Sequence, residues 1–106
     1  MNTADTPAAT WEVRPEFDGP GATEQSANTM NWALKLQPGV ETAQAGLIDR
    51  GIGMSLTATM LVTAESAGAA LDIAVAAFEH AALDADVRLG GLREIVVAPA
   101  DFDPRD

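Results

Sequence analysis

The sequence predicts an α+β two-layer sandwich: two helices laid on one face of a mostly antiparallel sheet of three to four strands. Three observations predict it. Apolar residues alternate with a period of two along "IGMSLTATMLVT", and an alanine-rich stretch from Ser66 to Leu83 repeats its apolar residues at helical spacing. The β-prone segment "LREIVVA" follows, so that strand and helix signals interleave along the chain.

Taken in chain order, residues 1–30 are rich in Thr, Ala, Pro, Gly, Asn and Ser, with Trp11, Val13 and Phe17 as the sizeable apolar anchors. Such a stretch buries too little to offset its ordering entropy, which predicts a flexible leader. Within it, "TWEVRPEF" has Trp11, Val13 and Phe17 on one parity, and Pro15 excludes a central strand while permitting an edge. A possible edge strand over 10–17 follows, able to add to a sheet in the same molecule or a neighbouring one.

A folded domain is expected over 31–98. "NWALKLQ" alternates Trp32, Leu34 and Leu36 against Asn31, Ala33, Lys35 and Gln37, as a half-buried strand does, and Pro38-Gly39 ends it. Val40, Ala43, Leu47 and Ile48 then fall at helical intervals, with Glu41 in the first turn and Gly51 just past the end, which predicts a helix over about 40–50. The strand Ile52–Thr63 comes next, longer than its predecessor and therefore overhanging it. Ser66 is a suitable N-cap for the second helix, whose buried stripe is Leu71, Ala74, Val75, Phe78 and Ala82. Gly90-Gly91 marks a loop before the last strand, and 99–106 form an acidic tail.

Within these elements, "NWALKL", "SLTATMLVTAES", "AALDIAVAAFEHA" and "EIVVAPADFD" resemble, over roughly residues 31–103, small uncharacterised ferredoxin-like (split β-α-β) domains of high-GC bacteria. The resemblance implies a ferredoxin-like fold or a reduced variant of it, because the short strand expected before the long one is missing from this reading. It implies no known chemistry.

Composition excludes several function classes. The net charge is −10, which opposes nucleic acid and anionic membranes and leaves room for a basic protein partner. There is no cysteine, hence no disulfide or thiolate zinc site, and a single His cannot supply a histidine metal cluster. No metal and no cofactor are expected, no apolar run reaches membrane-spanning length, and a cytoplasmic location is expected.

Candidate sites were weighed against plainer roles. Glu65, Asp72, Glu79 and Asp86 recur every seventh residue, and at about 10.5 Å per heptad they are too far apart to couple, so they read as a solvated helix side. His80 reads as a polar-edge residue, since no nucleophile or orienting group accompanies it. Ser55 in "GMSLT" lacks the final glycine of a nucleophile elbow. "GIG" at 51–53 precedes a strand where a phosphate loop would precede a helix, and "DFDPRD" lacks the glycine and glutamate of a calcium loop.

With no catalytic constellation, the expectation is a non-enzymatic structural or interaction module. A domain of about 70 residues without a staple usually needs a partner subunit. This predicts a homodimer contacting through the sheet, at Ser55, Thr57, Thr59, Leu61 and Thr63, with Trp11, Val13 and Phe17 as further partner-binding residues. Alternatives are an ACT-like regulatory ligand-binding domain and an acidic inhibitor of a basic or nucleic-acid-binding protein.

Overall fold

A computed structural model describes residues 8–100. The elements are β1 (Ala9–Asp18), α1 (Glu24–Lys35), β2 (Val40–Asp49), β3 (Met54–Ala64), α2 (Ala67–Asp84) and β4 (Leu92–Pro99). The sheet order is β2-β3-β1-β4, and each neighbouring pair is antiparallel. β1 and β2 therefore run parallel with β3 between them, and β3 and β4 run parallel with β1 between them. These are two interleaved β-α-β units, the ferredoxin-like arrangement. Both helices pack on one face of the sheet.

The N-terminal segment belongs to this unit. β1 lies inside the sheet, pairing with β3 from Ala9↔Ala64 to Asp18↔Ser55 and with β4 from Trp11↔Pro99 to Phe17↔Leu92. The expectation of a leader with an edge strand at 10–17 is corrected on this point, because odd-numbered apolar positions alone proved sufficient: Val13 and Phe17 are buried and Trp11 packs against the core. Trp11 Nε1 also donates to the carbonyl of Ala64 at 3.1 Å. Pro15 sits in the interior strand at a local cost. Its ladder with β3 is interrupted between Val13↔Met60 and Glu16↔Thr57, and the Thr57 hydroxyl donates to the Pro15 carbonyl at 2.8 Å in compensation.

Asn31–Gln37 is not a strand. Residues 31–35 are the last part of α1, which begins at a capping box in which Ser26 N donates to Thr23 Oγ1 and Thr23 N donates to Ser26 Oγ. Its buried stripe is Ala27, Met30 and Leu34, at helical spacing, while Trp32 is 71% exposed and Leu36 82% exposed. Nor is 40–50 a helix. It is β2, whose Ala43, Ala45 and Leu47 lie opposite Met60, Ala58 and Leu56. Gly46 costs a helix interior about 1 kcal/mol but only faces Thr57 here. β2 is the short strand whose absence had suggested a reduced variant, so the sheet has its full four strands.

α2 starts at its cap, where Ser66 Oγ accepts from Ala69 N at 3.1 Å. Ala70, Ala74, Ala77, Ala81 and Ala82 are buried with Phe78, and their small side chains let the helix lie close to the sheet. The ring of Phe78 stacks on Phe17 with centroids 4.8 Å apart. Glu65, Asp72, Glu79 and Asp86 are all exposed. Gly39 (φ 83) permits the turn into β2 and a close approach to α2, since a Cβ there would meet Ile73 at 2.9 Å.

Candidate functional site

Two concavities lie near the end of the sheet where β1 leaves and β4 enters, one on the helical side and one at the other. The helical-side cleft is about 500 Å³ and is lined by Phe17, Glu79, His80, Ala82, Leu83, Val87, Leu89 and Gly90. Local chemistry builds it. α2 ends when Val87 N donates to the carbonyl of Ala82 at 2.8 Å and Asp86 adopts φ 56. The chain then returns to the sheet edge, where Gly90 N donates to the Asp18 carbonyl at 2.7 Å and Asp18 N donates to that of Gly91 at 2.9 Å. Anchored at both ends, the connection holds Val87 and Leu89 over Phe17. Gly90 is required at this contact, because a Cβ would stand 2.8 Å from that of Asp18. Leu83 remains 78% exposed at the rim. His80, the only histidine of the chain, lines the same cleft beside Glu79. The cleft therefore offers apolar side chains for a small molecule and, at its rim, an imidazole that can serve as hydrogen-bond donor and acceptor.

The second cavity, about 560 Å³, is lined by Asp18, Pro20, Gly21, Arg50, Ile52, Gly53, Met54, Ser55, Gly90 and Arg93. A buried carboxylate organises the charges around it. Glu16, on the sheet face away from the helices, has a side chain only 8% exposed. Arg50 Nε donates to its Oε2 at 2.8 Å and Arg50 Nη2 donates to its Oε1. Arg93 Nε approaches Oε2 at 3.7 Å, while Arg93 Nη1 donates to Asp18 Oδ1 at 2.8 Å. The hydrogen-bonded guanidinium of Arg50 holds the Glu16 carboxyl below the usual carboxylate range, with burial opposing it and Arg93 assisting. The Ser55 hydroxyl, wholly buried and with no other partner among the described residues, also favours the ionised form. Glu16 in turn keeps Arg50 more firmly protonated than an isolated arginine.

The residues expected at a partner surface fall in two places. Ser55, Thr57, Thr59, Leu61 and Thr63 do share the face away from the helices. However, β1 brings Glu12, Arg14, Glu16 and Asp18 to that face and β4 adds Glu94, so it is not the uncharged surface the β3 sequence alone described. β3 is also paired along both edges, which removes the surplus of unpaired backbone from which a contact was inferred. Trp11, Val13 and Phe17 face the helices and serve the core. Glu16, Arg50 and Arg93 were not singled out from the sequence, since they lie on β1, just past the end of β2, and on β4, far apart in the chain. Among the described residues there is no cluster of three metal-ligating side chains, and no helix is long and apolar enough to cross a membrane. The acidic segment 101–106 lies outside the described residues.

The geometry thus defines a small ferredoxin-like α+β domain with a cleft between its second helix and sheet. No family model matches the chain, and no curated protein does. Among solved structures it resembles a chain from Chloroflexus aurantiacus J-10-fl described as a "putative Antibiotic biosynthesis monooxygenase", with a TM-score of 0.55 and 8% identity, covering 90% of this chain and 96% of that one. At that identity the likeness shows the fold. It also corrects the expectation of a non-enzymatic module that self-associates through its sheet: the same architecture, over nearly its whole length, carries a protein described as an enzyme. The absence of a recognisable motif in the sequence was therefore poor ground for setting enzymes aside.

Proposed function

We propose that this chain is an enzyme acting on a small, largely apolar molecule held in the cleft between α2 and the 85–91 connection, with His80 as its proton-handling group. The observation that carries the proposal is the placement of the sole imidazole of the chain at the rim of an open, partly apolar cleft of about 500 Å³, floored by a stacked phenylalanine. Ligand sites commonly have this size and character. The oxygen-adding reaction named for the Chloroflexus chain supplies the reaction class to test first.

In this reading Phe17, Leu83, Val87 and Leu89 bind and orient the molecule and exclude water. His80, exposed at the rim, accepts or returns a proton. The test measures oxygen uptake and product formation with single-ring aromatic and short aliphatic substrates. Turnover is expected to fall at least a hundredfold in His80→Gln with KM little changed, and KM to rise in Leu83→Lys. If no substrate shifts the amide resonances of residues 79–90, or if His80→Gln turns over like the parent, the proposal fails.

A further inference from the structure

We infer that the molecule taken up by the helical-side cleft is an amine, a compact apolar body carrying one ammonium group, and that Glu79 selects it. The inference rests on the reading of that cleft as a binding site and adds the charge of its ligand. Two observations carry it. The first is that the cleft is lined by a single carboxylate, that of Glu79, and by no Lys or Arg. Glu79 is exposed on α2 and forms no ion pair among the described residues, whereas Glu12, Glu16 and Asp18 of the sheet each have an arginine.

The second observation is the end of α2. Ala82 and Leu83, in its last turn, line the cleft, and that turn holds no basic residue. A helix C-terminus carries about half a negative charge, which a nearby cation offsets. Asp84 and Asp86 add the same sign, and Arg88, the closest arginine along the chain, does not line the cleft. With the whole chain at −10, the field at this end of α2 attracts a cation and repels a carboxylate or phosphate. A neutral imidazole at the rim can itself accept from an ammonium N–H. Leu83, Val87 and Leu89 restrict the rest of the molecule to hydrocarbon. Because Glu79 is exposed, water screens its contact with the ammonium, and the preference for the cation is about fivefold.

The experiment titrates the full chain at low salt with phenethylamine, phenethyl alcohol and phenylacetate, which share a ring and differ in charge, and with ethylamine, which lacks the ring. Binding is followed by amide resonances. Phenethylamine is expected to shift residues 79–90 saturably and to bind about fivefold more tightly than the alcohol, with phenylacetate weaker than both. Ethylamine is expected to bind about tenfold more weakly than phenethylamine, because it buries no ring. Glu79→Gln, on the exposed side of α2, is expected to leave Tm and the affinity for the alcohol level while removing most of the amine's advantage. An amine bound no more tightly than the alcohol, an advantage that survives Glu79→Gln, or ethylamine equal to phenethylamine each overturns the inference. In those three cases saturable binding of the alcohol leaves the cleft reading standing. If no ring-bearing probe shifts residues 79–90, both fall together.

Discussion

Replacing Glu16 by Gln tests how much the buried carboxylate contributes to the sheet. Gln keeps the shape and one acceptor oxygen but sets an NH₂ group against one of the two donors that Arg50 now directs at the carboxylate, and it removes the charge that also attracts Arg93. Hydrogen bonds to charged groups are worth about 1.5–3 kcal/mol each, and truncating one partner of a buried pair can cost more. Both arginines are partly exposed, so water recovers a share of that energy and the lower end applies. We expect a loss of about 1.5 kcal/mol at pH 7, which in a domain of this size lowers Tm by about 6–12 °C. The pH dependence follows from the lowered pKa of Glu16. Its stabilisation is fully present above the unfolded carboxyl value of about 4.3 and is lost as pH falls through the lower folded value. Thermal or urea unfolding of both proteins between pH 7 and pH 3 should therefore show a constant gap down to about pH 5, narrowing below pH 4. A gap below about 0.5 kcal/mol at pH 7, or one that widens on acidification, would refute the assignment of Glu16 as an ionised anchor.

Two further outcomes are expected. Leu34→Ala should destabilise by about 2–5 kcal/mol, because Leu34 is fully buried, whereas Leu36→Ala should stay within about 0.5 kcal/mol in urea unfolding; similar losses at the two positions would contradict the helical register of α1. Gly90→Ala should cost about 1–3 kcal/mol by the same assay, since its Cβ would meet Asp18 at 2.8 Å, while Gly91→Ala, with open space around it, should cost far less.

These expectations also show what was readable in the sequence. β3, α2 and β4 were legible because each has one unambiguous period: Leu56, Ala58, Met60 and Val62 alternate inward, and Ser66 caps a run whose apolar residues can only be helical. The first half was not, for a physical reason. In "NWALKLQ" the alternation of Trp32, Leu34 and Leu36 mimics a strand, but two of the three are solvent-facing on a helix whose true stripe begins upstream at Ala27. The capping pair Thr23 and Ser26 was the available signal. In β2, Ala43 and Ala45 locally favour a helix and Gly46 favours neither state, so tertiary pairing with β3 overrides local propensity. Pro15 misled most. The rule that bars proline from interior strands presumes an unbroken ladder, and here the pairing of β1 with β3 skips Arg14 and Pro15 while the Thr57 hydroxyl satisfies the Pro15 carbonyl. As for the sites, His80 was visible but its walls were not, because Phe17 and Leu89 are far from it in sequence. The Glu16–Arg50–Arg93 group is likewise a product of strand order.

The interior position of β1 has a consequence for how the chain is made. β1 is made before both of its neighbours, β3 and β4, so Trp11 waits for Val62 on one side and for Pro99 on the other. Until those segments are synthesised, Trp11, Val13 and Phe17 have no sheet to enter, and the nascent chain carries an apolar, β-prone segment. The pairing of β1 with β4, distant in the chain, places the slow step of folding after β4 has been made. Capture by chaperones and the hazard of aggregation should accordingly concentrate on a nascent segment whose mature form is sheltered between two neighbours.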